Sequence, residues 1–299
     1  MHPLRAALAG LIDYAGLFPP ASLDLPRVVA NHQRYLGTAE CWLLGRLIVP
    51  LASLPELEGL PTSSGAESSG AWTVSVLAGP ADSPAAIADR VSRFNDRHQP
   101  QIAVVAIELA ARTPELVARF AATVPERYER YIELPLDGRL PALLDAVATG
   151  GCYAKVRTGG ITAEAFPPAG ALARFLGGCA SRAVPFKATA GLHHPVRGSY
   201  RLTYEPQSPA AVMHGFVNLL VASGLLAAGR IADADAIAIL ETTDASAFRM
   251  EDEGIRWGDH LLDIEQCLVT RAHVLRSVGS CSFEDAVADL TALGWVGSD

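Results

Sequence analysis

The chain is poor in basic charge. Its 24 lysines and arginines are outnumbered by 32 acids, which leaves a formal net charge of −8. No basic run offsets that balance, so a general affinity for nucleic acid or an anionic membrane is excluded. Long apolar runs are missing too. The longest, GFVNLLVASGLLAAG (215–229), contains Asn218 and falls short of the roughly 20 residues needed to cross a bilayer; it reads as a core helix. The segment MHPLRAALAGLIDYAG reaches Asp13 before any long apolar leader develops, so the expectation is a cytoplasmic protein with no membrane partner. Cysteines number five, widely spaced and without a CxxC pair, which argues against a zinc ribbon or a disulfide framework and for buried thiols.

What the chain does have is apolar material: half of its 299 residues are hydrophobic, enough for one large domain or two ordinary ones. Strand-like segments alternate with helical patterns along most of the length, the signal of βα units around a parallel sheet. The expected strands are GLIDYAG (10–16), WLLGRLIV (42–49), WTVSVLA (72–78), IAVVAIEL (102–109), RYIELPL (130–136), CYAKVRT (152–158), PFKATAG (185–191) and AIAILET (236–242). The helices between them open on Ser, Thr or Pro and several close on Gly. Eight units in about 240 residues predict an α/β fold, a single (β/α)8 TIM barrel over residues 1–299, with a doubly wound open sheet as the alternative. PTSSGAESSG (61–70) reads as a flexible loop, and a C-terminal helical extension is expected from about residue 280.

In a barrel, residues two apart on a strand face the same way. Lys155 and Arg157 therefore both project inward, or Lys155 does so at the last inner layer with Arg157 at the rim; the same parity puts Lys187 and Thr189 together. Acids fall at comparable places: Asp13 on the first strand, Glu108 at the end of the fourth, Glu133 on the fifth and Glu241 at the end of the eighth. Ionised groups left unpaired in such an interior cost several kcal/mol, so these cations and carboxylates are expected to be neighbours at the C-terminal strand ends, where barrel enzymes keep their chemistry. Two lysines in one partly buried site have a specific use. Proximity and burial both disfavour the ammonium form, and a neutral amine attacks carbonyl carbon.

Lys155 in YAKVRTGG and Lys187 in PFKATAGL, on consecutive strands six and seven, resemble the two active-site lysines of the deoxyribose-phosphate aldolase family. IDYAGLFPPAS (12–22) is similar to that family's opening pattern, and YIELP to its strand carrying a glutamate. The resemblance implies a class I aldolase with a (β/α)8 fold and no cofactor, in which Lys155 forms the Schiff base and Lys187 depresses its pKa. Departures accompany it. Arg157 stands where the family has a small hydroxyl, TAGLHH replaces a Gly-Gly-Ile-Arg turn, and the strand-four aspartate of the family's proton relay must be served by Glu108 or Glu133. The expected eighth strand lacks the Gly-Ser turn that binds substrate phosphate, so the resemblance extends to the fold and the Schiff base rather than to a sugar phosphate.

The expected reaction is carbon–carbon cleavage of a small carbonyl or carboxylate metabolite. Lys155 attacks the carbonyl, Glu133 or Asp13 moves protons, and Arg157 holds an anionic substituent. The loop TAGLHHPVRG (189–198) supplies further substrate contacts from Thr189, His193, His194 and Arg197, with Glu108 and Glu241 opposite. Two alternatives stand beside this: a metal-dependent lyase, isomerase or hydrolase using His193 with barrel carboxylates, and a barrel that only binds a small ligand. FRMEDEGIRWGDH (248–260) reads as a hairpin or lid over the mouth, with Arg256, Asp259 and His260 in reach of the site. A homo-oligomer is compatible with all of these.

Overall fold

The computed structural model describes residues 3–60 and 72–297; the loop expected at 61–70 lies outside them. Eight strands form a closed, all-parallel barrel: β1 (Ile12–Tyr14), β2 (Leu44–Pro50), β3 (Trp72–Leu77), β4 (Ile102–Ala110), β5 (Glu129–Glu133), β6 (Tyr153–Arg157), β7 (Phe186–Thr189) and β8 (Leu275–Ser280). The helices are α1 (Pro3–Leu8), α2 (Leu25–Leu36), α3 (Leu54–Glu58), α4 (Pro84–His98), α5 (Pro114–Thr123), α6 (Leu140–Thr149), α7 (Ala169–Ala180), α8 (Phe216–Ala227), α9 (Asp233–Glu241), α10 (Ile264–His273) and α11 (Phe283–Ala292). The (β/α)8 barrel read from the sequence is the fold observed.

Local chemistry accounts for these elements. Asp24, Ser83 and Thr113 accept backbone N–H groups at the starts of α2, α4 and α5, each followed by proline in the first turn, where its missing donor costs nothing. Strand residues facing the helices are apolar and fully buried, as with Val104, Ile132, Val156 and Ala188. Their alternates point to the barrel axis, and that is where the charges lie.

The eighth strand is not where the sequence placed it. Residues 236–241 belong to α9, with Thr242 as its C-cap; the Asp235 carboxylate accepts the Ala232 N–H, and the acids Asp233 and Asp235 sit favourably in the first turn. Ala236, Ile239 and Leu240 are its buried residues, a helical spacing that β-branched composition disguised. The true β8 is LRSVGS, between two helical patterns, and it pairs with β7 and β1. The C-terminal helix is present as α11, directly after that strand.

Residues 190–274 carry the insertions that separated β7 from β8. An antiparallel hairpin arm pairs Gly198–Arg201 with Ala210–Met213, and the core helix read at 215–229 follows it as α8. A three-stranded meander (Phe248–Glu251, Gly254–Trp257, His260–Asp263) is the expected hairpin with one strand more. It packs on α1, α8 and α10, and α1 precedes the N-terminal end of β1. The meander therefore lies on the flank towards the barrel's base and is no lid. Arg256 is engaged there by Glu251 at 2.8 Å.

Candidate active site

Strand register brings the lysines together. Lys155 pairs in register with Lys187, Arg157 with Thr189, Glu133 with Lys155, and Ser277 with Lys187, so these inward residues form adjacent layers around one axis. Lys155 Nζ lies 2.6 Å from Glu108 Oε2 and 3.1 Å from Glu133 Oε2. Lys187 Nζ donates to Glu108 Oε1 at 2.8 Å and to Asp13 Oδ2 at 2.6 Å. Glu108 thus holds one lysine on each oxygen, and Ser75 Oγ adds a third donor at 2.7 Å. Asp13 also accepts from Ser277 Oγ at 2.6 Å and from the Arg46 backbone N–H at 2.8 Å.

The cluster is dry. Side-chain exposure is 1–4 % for Asp13, Glu108, Lys155 and Lys187, against 14 % for Glu133. Burial alone would raise the Glu108 carboxyl, but the ammonium groups of Lys155 and Lys187 outweigh it and hold it well below the usual carboxylate range. Burial likewise opposes the Lys187 ammonium; Asp13 and Glu108 outweigh that and raise its pKa. Lys187 is therefore a fixed cation, and its charge reaches Lys155 across a shared carboxylate rather than by direct confrontation. Below it lies the Tyr131 ring, 5.3 Å from Lys187 Nζ. Tyr131 donates in turn to Glu129, which Arg46 and Arg276 clamp at 2.9 and 2.8 Å.

Above the cluster opens a cavity of about 180 Å³ whose lining includes Pro20, Arg157, Thr189, His193, Gly279 and Cys281. Arg157 and Thr189 are the next inward residues after Lys155 and Lys187, so the cavity begins one layer beyond the lysines, neither of which lines it. Arg157 is exposed and makes no hydrogen bond or ion pair among the described residues. A Cβ at Gly279 would meet Thr189 Oγ1 at 2.8 Å, so glycine is what lets β7 and β8 close up at the cavity floor. A larger cavity of about 570 Å³ lies on the outer flank by α6 and α7, and none of the expected site residues lines it.

Of the residues singled out from sequence, Asp13, Glu108, Glu133, Lys155, Lys187, Arg157, Thr189 and His193 come together in the barrel interior and its mouth. Three do not. His194 turns away from His193, stacks on Tyr200 with ring centroids 3.4 Å apart and pairs with Asp289 at 2.6 Å, because adjacent loop residues point apart. Arg197 contacts His214 at 3.2 Å, and its backbone N–H donates to Asn218. Glu241 is exposed at the end of α9, a position that follows from the misplaced strand. His193 meets Ser280 and Cys281, and among the described residues its nitrogens contact no carboxylate. Among the described residues no group of three or more His, Cys, Asp or Glu side chains is arranged to hold a metal ion.

Sequence reasoning missed Ser75, Ser277, Ser280 and Cys281. It also passed over one signal in plain view: the chain has two lysines in all, Lys155 and Lys187. A sequence that uses arginine for every other cation and reserves lysine for two neighbouring inward positions singles out the amine itself, the one property arginine cannot supply.

No family model matches the chain, and no curated protein or solved structure matches it either. Fold and site together define a (β/α)8 barrel with a buried two-lysine, three-carboxylate cluster beneath an open, arginine-bearing mouth.

Proposed function

We propose that the protein is a Schiff-base enzyme, a class I aldolase-like lyase, acting on a small carbonyl metabolite with an anionic substituent. The observation that carries this reading is the meeting of the chain's two lysines on the two oxygens of Glu108. Lys155 is the nucleophile because its second carboxylate, Glu133, is the most exposed member of the cluster. On substrate entry Glu133 takes a proton from the Lys155 ammonium, and the neutral amine attacks the carbonyl carbon. Lys187, held charged by Asp13 and Glu108, keeps the negative charge of the cluster balanced, and Arg157 one layer higher binds the anionic group of the substrate.

Two further observations support the resemblance to the deoxyribose-phosphate aldolase family. Glu108 on β4 contacts both lysines, as the strand-four acid of a proton relay must. The observed β8 ends in Gly279 and Ser280, a Gly-Ser pair on the strand where the resemblance calls for one.

Borohydride reduction in the presence of acetone, pyruvate, dihydroxyacetone and acetaldehyde, followed by peptide mass mapping, tests the proposal. A reduced adduct on Lys155, absent from the Lys155→Arg protein, is the expected result. An unmodified Lys155 with every probe overturns it. Because the chain holds two lysines, the assignment is unambiguous.

A further inference from the structure

Two cavities meet at His193. The mouth cavity is one; the other, about 270 Å³, lies under the hairpin arm, and its lining includes His194, which faces this chamber rather than the mouth, with Tyr200, Arg201, Tyr204 and Asp285. The residues common to both linings are Pro20 and His193. The His193 imidazole, 7 % exposed, is thus part of the partition between a chamber over the lysines and a polar chamber beside it.

The hydrogen bonds around His193 fix its tautomer. The Ser280 hydroxyl has one proton and gives it to the Ser282 carbonyl at 2.8 Å, since a carbonyl oxygen only accepts. Toward His193 Nδ1, 3.1 Å away, Ser280 Oγ is then the acceptor, so Nδ1 carries the ring proton and Nε2 a lone pair. Cys281 Sγ lies 3.8 Å from Nδ1 and 4.0 Å from Nε2, nearly equidistant and so in line with neither nitrogen's in-plane orbital. Nε2 is left as an uncommitted base. The neutral ring is also the favoured form: burial first, then the neighbouring His194, lower its pKa to about 4, against a raising influence from Asp285.

We propose that His193 Nε2 takes the proton from the hydroxyl of a β-hydroxy ketone bound as an imine on Lys155, with the ketone half in the mouth cavity and the aldehyde half under the arm. This rests on the Schiff-base reading above. In the step, the hydroxyl proton moves to Nε2 and the O–H electron pair becomes the second bond of the departing aldehyde. The carbon–carbon bond breaks, and its electron pair flows to the iminium nitrogen, leaving an enamine on Lys155. The imidazolium returns its proton to the enamine carbon, and water hydrolyses the restored iminium to ketone and free amine. Ser280 is a positioning residue: it sets which nitrogen is free. A base that is a weakly basic neutral imidazole gives its proton back readily, as each turnover requires.

The test uses the full chain, its His193→Gln and Ser280→Ala variants, and three readouts. Borohydride trapping of pyruvate or acetone at Lys155 reports imine formation. Aldehyde release from 4-hydroxy-2-butanone and 4-hydroxy-2-oxobutanoate reports cleavage. Nitrogen-15 NMR of the histidine rings reports the tautomer. The expected result is a ketone adduct still trapped at Lys155 in His193→Gln, with cleavage down about 100-fold or more relative to that trapping, a wild-type His193 signature of protonated Nδ1 and bare Nε2, and a mixed-tautomer signature in Ser280→Ala. Undiminished cleavage by a His193→Gln protein that still traps ketone, or a wild-type Nε2–H tautomer, overturns the inference and leaves the Schiff base standing. Absence of trapping in the wild-type protein overturns both.

Discussion

Glu108→Gln is the substitution that strikes the cluster hardest while changing its volume least. The wild-type carboxylate accepts from Lys155, Lys187 and Ser75 at 2.6, 2.8 and 2.7 Å. In the variant the amide oxygen still serves Lys187 and Ser75, but the amide NH₂ faces the Lys155 ammonium, donor against donor. Lys155 keeps Glu133 and Lys187 keeps Asp13, so neither cation is orphaned. Removing one member of a buried ion network costs about 3–5 kcal/mol, which for a domain of this size lowers Tm by about 6–10 °C. The pH dependence carries a sign. Because the folded-state pKa of Glu108 is depressed, its contribution is fully present above the ordinary glutamate value of 4.5 and is lost as pH falls below it. Thermal melts of both proteins from pH 7 to pH 3.5 should show the full gap near neutrality and a narrowing gap in acid. A variant that melts within about 1 °C of wild type at pH 7, or a gap that stays constant in acid, refutes the view that Glu108 is an ionised keystone between two ammonium groups. Ketone trapping at Lys155 should fall in the same variant.

Other perturbations read different parts of the molecule. His32 is 2 % exposed, has no hydrogen-bond partner for either ring nitrogen among the described residues, and is lowered by burial from 6.5 to about 4. A histidine depressed on folding leaves the unfolded chain binding the extra proton between those values, so stability falls as pH drops through that window. At pH 5 the loss is about 2 kcal/mol, and His32→Leu should remove it, seen as a smaller drop in Tm between pH 7 and pH 5 than in wild type; an equal drop refutes the assignment. Gly215→Ala places a Cβ 2.2 Å from Asn218 Oδ1 and 2.5 Å from the Pro195 carbonyl, displacing the asparagine that also donates to the Ile239 and Thr242 carbonyls. A loss of about 1–3 kcal/mol is expected in urea unfolding, and an unchanged midpoint would show that the turn ahead of α8 yields freely.

The barrel was legible where local pattern and tertiary role agree. β3 to β7 are apolar runs bounded by turn residues, and their inward charged positions follow from a period of two once closure is assumed. β8 was not legible. LRSVGS holds one β-branched residue, two serines and a glycine, and it takes its strand form from ladders to β7 and β1 rather than from propensity. α9 shows the reverse case, in which isoleucines at 237 and 239 imitate a strand while acids in the first turn set a helix. In the site, the charges on single strands could be read, but the bond between Glu108 and both lysines depends on three strands converging across the barrel. The different fates of His193 and His194 depend on Ser280 and on the hairpin arm, neither of which a linear pattern announces.

The way the lysine ion pairs cross the barrel has a consequence for how the molecule can be assembled. β1 and β4 bring Asp13 and Glu108, whereas β6 and β7 bring both lysines, so Lys155–Glu108, Lys187–Glu108 and Lys187–Asp13 all span the two halves of the ring, and Lys155–Glu133 alone stays within one. Cut between α5 and β5, the first fragment would be a trough carrying two bare acids and the second would carry two amines with one acid. Neither half has a charge-neutral interior to collapse upon, so the halves would behave as complementary pieces.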